Sequence, residues 1–490
     1  MANEYEMARR RKADALRAKG LDPFGHRYAE TIGAAEARRR FEAAGEGTRA
    51  RVAGRLTAVR EFGKLVFADL SDWTGRIQVA FNKKTLGPDD WERVKLLDLA
   101  DWVGVEGSLV KTRTGEITVA VEKFEILSKA LLPPPEKWHG LVDVEARYRQ
   151  RYVDLFANPG VRDVFLKRSL ILAEVRRFLR EREFVEVETP VLQPIYGGAA
   201  ARPFMTHHNT LGVDFYLRIS PELYLKRLLV GGMERVFEVS RVFRNEGIST
   251  RHNPEFTLLE LYQAYADYTD MMEIVETLVE HLARTVSGGQ TCLPFGDLQI
   301  EYKAPWRRAA YADLLAEHAG LALGDEAAIR AKARGMGIEE AGKHLDVVTH
   351  DVFEATVERH IVQPTFVIDW PARLCPLTKR KADRPDIAER FEPMVAGMEI
   401  GNAYTELNDP DVQEEALRTQ LAGQDETMAV MDTDFIEALK HGMPPAGGLG
   451  IGIDRLVMLL VDASNIRDVV LFPALRPRGD APPAEEGADG

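Results

Sequence analysis

The stretch VFEVSRVFRNEGISTRHNPEFTLLELY, residues 236–262, decides the fold. Two alternating runs flank a polar segment of about nine residues, longer than a hairpin turn requires. On the second run a period of two places Phe256, Leu258, Glu260 and Tyr262 on one face. A ring, a carboxylate and a phenol then share a surface able to stack a base and bind a cation. Arg244 and Glu246 stand at the loop entrance, with Arg251 and His252 inside it, offering the forked and point donors that a polyphosphate needs. The competing reading is a solvated charged hairpin.

A second segment, GGLGIGIDRLVMLL at 447–460, favours a binding site. Gly448, Gly450 and Gly452 alternate with Leu449, Ile451 and Ile453, so one face of the strand carries no side chains. Glycine inside a strand costs stability and marks close approach of another group, which suggests a flat floor under a planar ring. After Asp454 the apolar spacing turns helical, placing Arg455 in a first turn, where the helix dipole disfavours a cation by roughly 0.3–1 kcal/mol. A phosphate would offset that. The spacing is not G-x-G-x-x-G, and no G-x-x-x-x-G-K-[ST] occurs, which excludes Rossmann and P-loop nucleotide sites.

Outward from these segments the chain divides. Residues 1–48 read as helical. From Val52, strand-like runs at 52–62, 64–71 and 76–81, a helical stretch at 88–98 and further runs at 101–110 and 116–127 give the layout of a five-stranded OB barrel over 49–132. In it Phe67 and Gln78 point away from the apolar faces, a base-stacking arrangement, whereas Arg60 shares its parity with Val52 and Leu56 and faces outward only if the strand bulges. Pro133, Pro134 and Pro135 stiffen a linker over 133–150. A larger unit, 151–477, opens with an amphipathic helix near 162–182 and the extended run FVEVETPVLQP. Strand-like segments at 214–262, 365–370 and 397–407 follow, with a mostly helical insertion at about 300–350. The acidic, Pro/Gly/Ala-rich tail 478–490 is expected to be disordered. The fold class is α+β, an antiparallel sheet flanked by helices behind an N-terminal barrel.

The charge balance narrows the function. With 64 Lys/Arg against 77 Asp/Glu the net charge is −13, so capture of nucleic acid by bulk positive charge is excluded and any polyanion must be held locally. Residues 1–60 carry 14 Lys/Arg and 8 Asp/Glu, making that end the landing side for a polyanion. Two distant cysteines, Cys292 and Cys375, rule out a disulfide framework and fit a reducing cytoplasm. No signal peptide or membrane span is expected. His207 and His208 point oppositely on a strand and read as structural.

The strand–loop–strand with Arg244, the glycine strand ending in Arg455 and the upstream FVEVETP with Pro190 resemble motifs 2, 3 and 1 of the class II aminoacyl-tRNA synthetases. An OB barrel ahead of them points to the aspartate, asparagine and lysine subgroup. The wording GGAAARPF (197–204), SPELYLKR (220–227), FRNEGISTRHNPEFT (243–257), EIGNAYTELND (399–409) and GLGIGIDR (448–455) is similar to the bacterial lysyl-tRNA synthetase family. The likeness runs from about residue 50 to 477.

That resemblance implies a site. Gly198 (through its backbone) and Glu222 would hold the α-amine of lysine, Arg244 and Asn402 its carboxylate, and Glu260, Tyr262 and Glu406 its side-chain ammonium. Adenine would stack between Phe256 and Arg455, with Arg244 on the α-phosphate, Glu246 at the adenine edge, and Arg251 and His252 on the outer phosphates. Arg244 and Arg455 are thus the expected catalytic residues. Magnesium would sit on Glu392 and Glu399, but strict alternation puts Glu399 opposite Asn402 and Glu406 unless the strand bulges near Gly401. Arg60, Phe67 and Gln78 would hold anticodon bases. The acids also have a purely structural alternative, pairing with Lys226 or Arg227 of the same chain.

The implied activity is ATP-dependent formation of lysyl-adenylate and transfer of lysine to the terminal ribose 3′-hydroxyl of transfer RNA by a homodimer built on residues 162–190. Two alternatives remain: a ligase that attaches lysine to a translation factor, which the barrel counts against, and an inactive RNA-binding relative, which the intact Arg244, Glu246, Phe256 and Arg455 count against.

Overall fold

A computed structural model of the chain describes residues 4–135, 141–158, 160–199, 201–422 and 431–476. It divides into two compact units, at Asp143/Val144. Residues 136–140 of the linker and the tail 478–490 lie outside the described residues.

The first unit is a closed barrel of five strands: Arg49–Phe62, Leu65–Ser71, Arg76–Asn82, Trp102–Lys111 and Ile117–Ser128. The third and fifth strands pair in parallel; the other pairings are antiparallel. Alternation fills the barrel with Val52, Leu56, Ala68, Leu70, Ile77, Val79, Val105 and Val119. The N-terminal helices Glu4–Ala18 and Ala34–Ala44 are not a separate segment, because Leu16, Ala34 and Ala37 pack into this same core.

The second unit is built on a nine-stranded sheet. Its order is Arg307–Ala310, Thr365–Pro371, Ile387–Val395, Gly401–Thr405, Ala446–Gly452, Glu255–Ala264, Arg235–Phe243 and Val185–Glu186, with Met398–Glu399 paired to Ile387–Val395. The centre is antiparallel as expected, but the pair at each edge is parallel, so the sheet is mixed. Leu259, Leu261, Ala403, Leu449 and Ile451 join Met271, Val275, Leu278 and Leu282 of helix Tyr268–Ser287 in the main core. That helix is held at its start by a capping box of Asp267 and Asp270.

Three local expectations change. The run 214–262 is not strand throughout, since Glu222–Val230 is a helix. Leu225 and Leu229 fall four residues apart on its buried side, as do Glu222 and Lys226. Residues 144–149, expected in the linker, form a helix of the second unit. The insertion starts with strands; its helices are Tyr311–Ala319, Glu326–Gly335 and Leu345–Thr356, which share a small core with Trp370.

One irregularity places the site. Met394 pairs with Glu399, but Phe391 pairs with Ala403, so the 398–405 segment carries one extra residue. This slip reverses the parity between Glu399 and Asn402. It needs glycine at 401, where a Cβ would lie 2.2 Å from the Gly450 carbonyl oxygen. Gly401→Ala is therefore expected to destabilise the protein by roughly 1–3 kcal/mol in urea titrations, the usual cost of overpacking; an unchanged midpoint would contradict the close approach.

Candidate active site and anticodon face

The central strands create a cavity by a simple pairing rule. Leu258, Glu260 and Tyr262 lie opposite Gly452, Gly450 and Gly448, and on the other flank Asn402 and Tyr404 lie opposite Gly450 and Gly448. Large side chains from both neighbours thus lean over a strand whose facing side has none. The glycines are not equivalent. A Cβ at Gly448 would strike Glu406 Oε1 at 1.8 Å and the Tyr262 ring at 2.6 Å, so the protein itself fills that space. A Cβ at Gly450 would meet nothing closer than 3.8 Å, and at Gly452 nothing closer than 3.7 Å, so only these two form an open floor.

The cavity measures about 570 Å³. Of the expected residues it brings together Gly198, Glu222, Arg244, Glu246, Arg251, His252, Phe256, Glu260, Tyr262, Glu399, Asn402 and Arg455. Glu392 and Glu406 stand behind its wall. Glu406 is fully buried and ion-paired with Lys226, and Glu392 is paired with Arg390 at 2.5 Å.

At one end stand the acids. Glu260, on the central strand, accepts hydrogen bonds from Ser220 Oγ at 2.8 Å and Tyr262 Oη at 3.3 Å, and among the described residues no Lys, Arg or His pairs with it. Burial, reinforced by Glu222, pushes its pKa up to about 8. Glu222, at the start of its helix, accepts from Lys226 Nζ at 2.7 Å and from Tyr404 Oη at 3.0 Å on both oxygens. Arg227 turns instead to Asp432 and Asp434. The structural alternative is therefore met for Glu222 and Glu406, through Lys226, and not for Glu260.

At the other end stand the guanidiniums. Arg244 lies over Phe256, 5.2 Å from the ring centre, and its buried Nε has no hydrogen-bond partner among the described residues. Burial lowers its pKa, although Glu246, Glu399 and Glu260 oppose the shift. Arg455 donates to the Glu399 backbone oxygen at 2.8 Å and to its carboxylate at 2.9 Å, and bonds His252 at 2.8 Å. Its helix is anchored by neighbouring Asp454, which pairs with Arg168 and accepts from the Thr257 backbone N–H at 2.7 Å. One buried carboxylate thus ties the 161–180 helix, the Glu255–Ala264 strand and the 453–461 helix together; breaking such a pair costs about 3–5 kcal/mol. Asp454 carried no role in the sequence reading because a carboxylate in a first turn is ordinary.

Glu399 and Glu392 offer hard oxygen donors near the guanidiniums. Burial and the neighbouring Glu399 and Glu358 raise the Glu392 carboxyl to about 8, while Arg390 opposes the shift. Among the described residues no group of three or more His, Cys, Asp or Glu could hold a metal ion alone. Two carboxylates completed by phosphate oxygens and water are magnesium's usual coordination; Glu399 lines the cavity and fits an ion that arrives with a nucleotide, whereas Glu392 could join it only by leaving Arg390. Glu358, just after the insertion helix, does not line the cavity but is coupled by charge to Glu399; burial and nearby Glu354 and Glu399 raise it to about 7. Its contribution was hidden in sequence, because the insertion gave no motif.

On the barrel, the first strand slips register between Leu56 and Ala58. Arg60 then pairs with Phe67, and Gln78 with Asp69, so Arg60, Phe67 and Gln78 share one outer face. Asp69 receives Arg60 at 2.8 Å and Arg76 at 3.1 Å, Gln78 accepts from Thr118 at 2.8 Å, and Phe62 meets Phe67 edge-on at 6.1 Å. Phe62 and Arg76 extend this face beyond the expected three residues. His207 is exposed and bonded to Asp214, away from the cavity.

Residues 143–476 match the family described as tRNA synthetases class II (D, K and N), and residues 50–127 match the OB-fold nucleic acid binding domain. The chain belongs to this class II tRNA synthetase family. It is 50% identical over 485 residues to the lysine–tRNA ligase of Pelotomaculum thermopropionicum, covering 97% of this chain and 96% of that protein. It is likewise 50% identical over 484 residues to the lysine–tRNA ligase of Carboxydothermus hydrogenoformans, covering 97% and 99%. That of Moorella thermoacetica is 48% identical over 485 residues, covering 97% and 98%.

The raised acids make ligand-free stability depend on pH. Glu260 binds its proton more tightly folded than unfolded, so its contribution is present below the unfolded value near 4.5 and is lost as pH rises through about 8. The melting temperature of the ligand-free protein should fall between pH 5 and 8.5, and Glu260→Gln should flatten part of that fall. An identical slope in the variant would contradict a protonated, buried Glu260.

Proposed function

We propose that this chain is a lysine–tRNA ligase that forms lysyl-adenylate from lysine and ATP and passes lysine to the terminal adenosine of its transfer RNA. One observation carries the reading: a single cavity holds a buried carboxyl, Glu260, and a guanidinium, Arg244, neither of which forms an ion pair among the described residues. A molecule with an ammonium at one end and a carboxylate near a phosphate at the other satisfies both.

In this reading Glu222 and the Gly198 backbone hold the α-ammonium, Arg244 and Asn402 the carboxylate, and Glu260 with Tyr262 the side-chain ammonium. Glu406 adds negative charge from behind Gly448. Adenine rests on the Gly450–Gly452 floor between Phe256 and Arg455, with Glu246 at its edge and Arg251 and His252 toward the outer phosphates. The lysine carboxylate attacks the α-phosphorus in line, and pyrophosphate leaves. Arg244 stabilises charge on the α-phosphate, and no side-chain nucleophile is required, so positioning and charge stabilisation supply the rate. Magnesium, when bound at Glu399 and Glu392, would screen the phosphates.

The outer barrel face would stack and read anticodon bases through Phe67, Gln78 and Arg60, with Phe62 beside them; each stacked base is worth about 1–3 kcal/mol. A cytoplasmic place accords with two free cysteines. No described helix is long and apolar enough to cross a membrane. The proposed homodimer is supported by Leu166 and Leu170, which are 45% and 41% exposed on the helix that buries Ile171 and Val175 on its other side, and by Val185, 51% exposed at the adjoining sheet edge.

Pyrophosphate exchange into ATP, run with each amino acid in turn, should respond to lysine alone, and transfer RNA should then accept the product. Glu260→Gln should raise the lysine KM by about 100-fold while moving ATP binding less than about twofold; equal loss of both would overturn the assigned role. Leu166→Glu with Leu170→Glu should sediment as a monomer, whereas an unchanged dimer would place the interface elsewhere.

A further inference from the structure

The acids of the amino-acid pocket are organised around a side chain that does not line it. Lys226 is fully buried, four residues after Glu222 on the Glu222–Val230 helix. Its Nζ lies 2.7 Å from Glu222 Oε1, is ion-paired with Glu406, and sits 5.6 Å from the centre of the Tyr404 ring. Two of the three buried carboxylates at this end, Glu222 and Glu406, therefore share a single internal cation, while the third, Glu260, bonds Ser220 and Tyr262; all three are less than 6% exposed.

Three buried carboxylates at close quarters do not all stay ionised without compensation. The substrate proposed above brings two ammonium groups to this end and takes its own carboxylate to Arg244. One internal ammonium therefore balances the count: three negative charges against two from the ligand and one from the protein. The position of Lys226 matters as much as its charge. It bonds Glu222 Oε1 while Tyr404 Oη lies 3.0 Å from both carboxylate oxygens, and together they hold in place a carboxylate that lines the cavity.

We infer that Lys226 is a positioning residue for amino-acid binding, the built-in counter-ion that holds Glu222 and Glu406 in place so that the pocket accepts a diamine. It acts through those acids, without touching the ligand. The inference rests on the lysine-activation reading and adds to it the residue that sets the charge of the pocket.

The test uses the full-length protein carrying Cys292→Ser, which removes the exposed thiol, with Lys226→Cys added. Cys375 is buried, and the Cys292→Ser protein alone, treated identically, controls for its reaction. In pyrophosphate exchange, Lys226→Cys should raise the lysine KM at least about 30-fold while the ATP KM moves less than about twofold. Alkylation of the new thiol with 2-bromoethylamine under mild denaturant, followed by refolding, rebuilds a lysine-length ammonium and should restore the lysine KM to within about fivefold of the Cys292→Ser value. A propyl group of similar length should not.

Should the first variant fail to fold, Lys226→Met, which keeps the buried chain but not the charge, supplies the same comparison of lysine against ATP. Restoration by the neutral chain, a joint rise in both KM values, or an unchanged lysine KM would overturn the inference. A parent protein that does not activate lysine at all would instead overturn the functional reading beneath it.

Discussion

The site exists because a strand with one face bare of side chains is paired, on both flanks, with strands whose large residues lie on that face. Gly448, Gly450 and Gly452 oppose Tyr262, Glu260 and Leu258 on one side, and Gly448 and Gly450 oppose Tyr404 and Asn402 on the other. A side chain at Gly450 or Gly452 would take cavity volume, and one at Gly448 would strike Glu406 and Tyr262. The opposite face of the same strands carries Leu449, Ile451, Leu259 and Leu261 into the core. A one-residue error of register would therefore exchange core and site at once, which ties the stability of the sheet to the geometry of binding.

Around that floor the charges are segregated along the cavity, and segregation is costly in the empty state. Among the described residues Glu260, at one end, bonds the hydroxyls of Ser220 and Tyr262, and the buried Nε of Arg244, at the other, has no partner. A protein selected for stability alone would pair them with local counter-ions, as it does for Glu222 with Lys226 and Arg227 with Asp432. Leaving a buried carboxyl and a buried guanidinium apart, on a rigid sheet, reserves both for a ligand that spans them.

Much of this was legible in the chain itself. Period-two spacing assigned Phe256, Leu258, Glu260 and Tyr262 to one face, and the alternating glycines announced the floor. Parity alone could also state where regularity had to fail, since Glu399 and Arg60 reach their faces only through register slips, which the sheets contain near Gly401 and between Leu56 and Ala58. What the sequence could not display were contacts across large separations. Arg168 meets Asp454, Tyr404 meets Glu222, and Glu358 approaches Glu392 and Glu399, with no spacing rule connecting them. The helix at 222–230 was obscured because its short apolar run reads equally well as a strand.

Selection of a cationic ligand turns on Glu260 holding a proton until a cation arrives. Calorimetric titration of lysine into the ligand-free protein near pH 7, repeated in buffers of different ionisation enthalpy, counts the protons exchanged. Release of close to one proton per lysine, vanishing in Glu260→Gln, is the predicted result. Binding with no proton released, or release that persists in the variant, would contradict it.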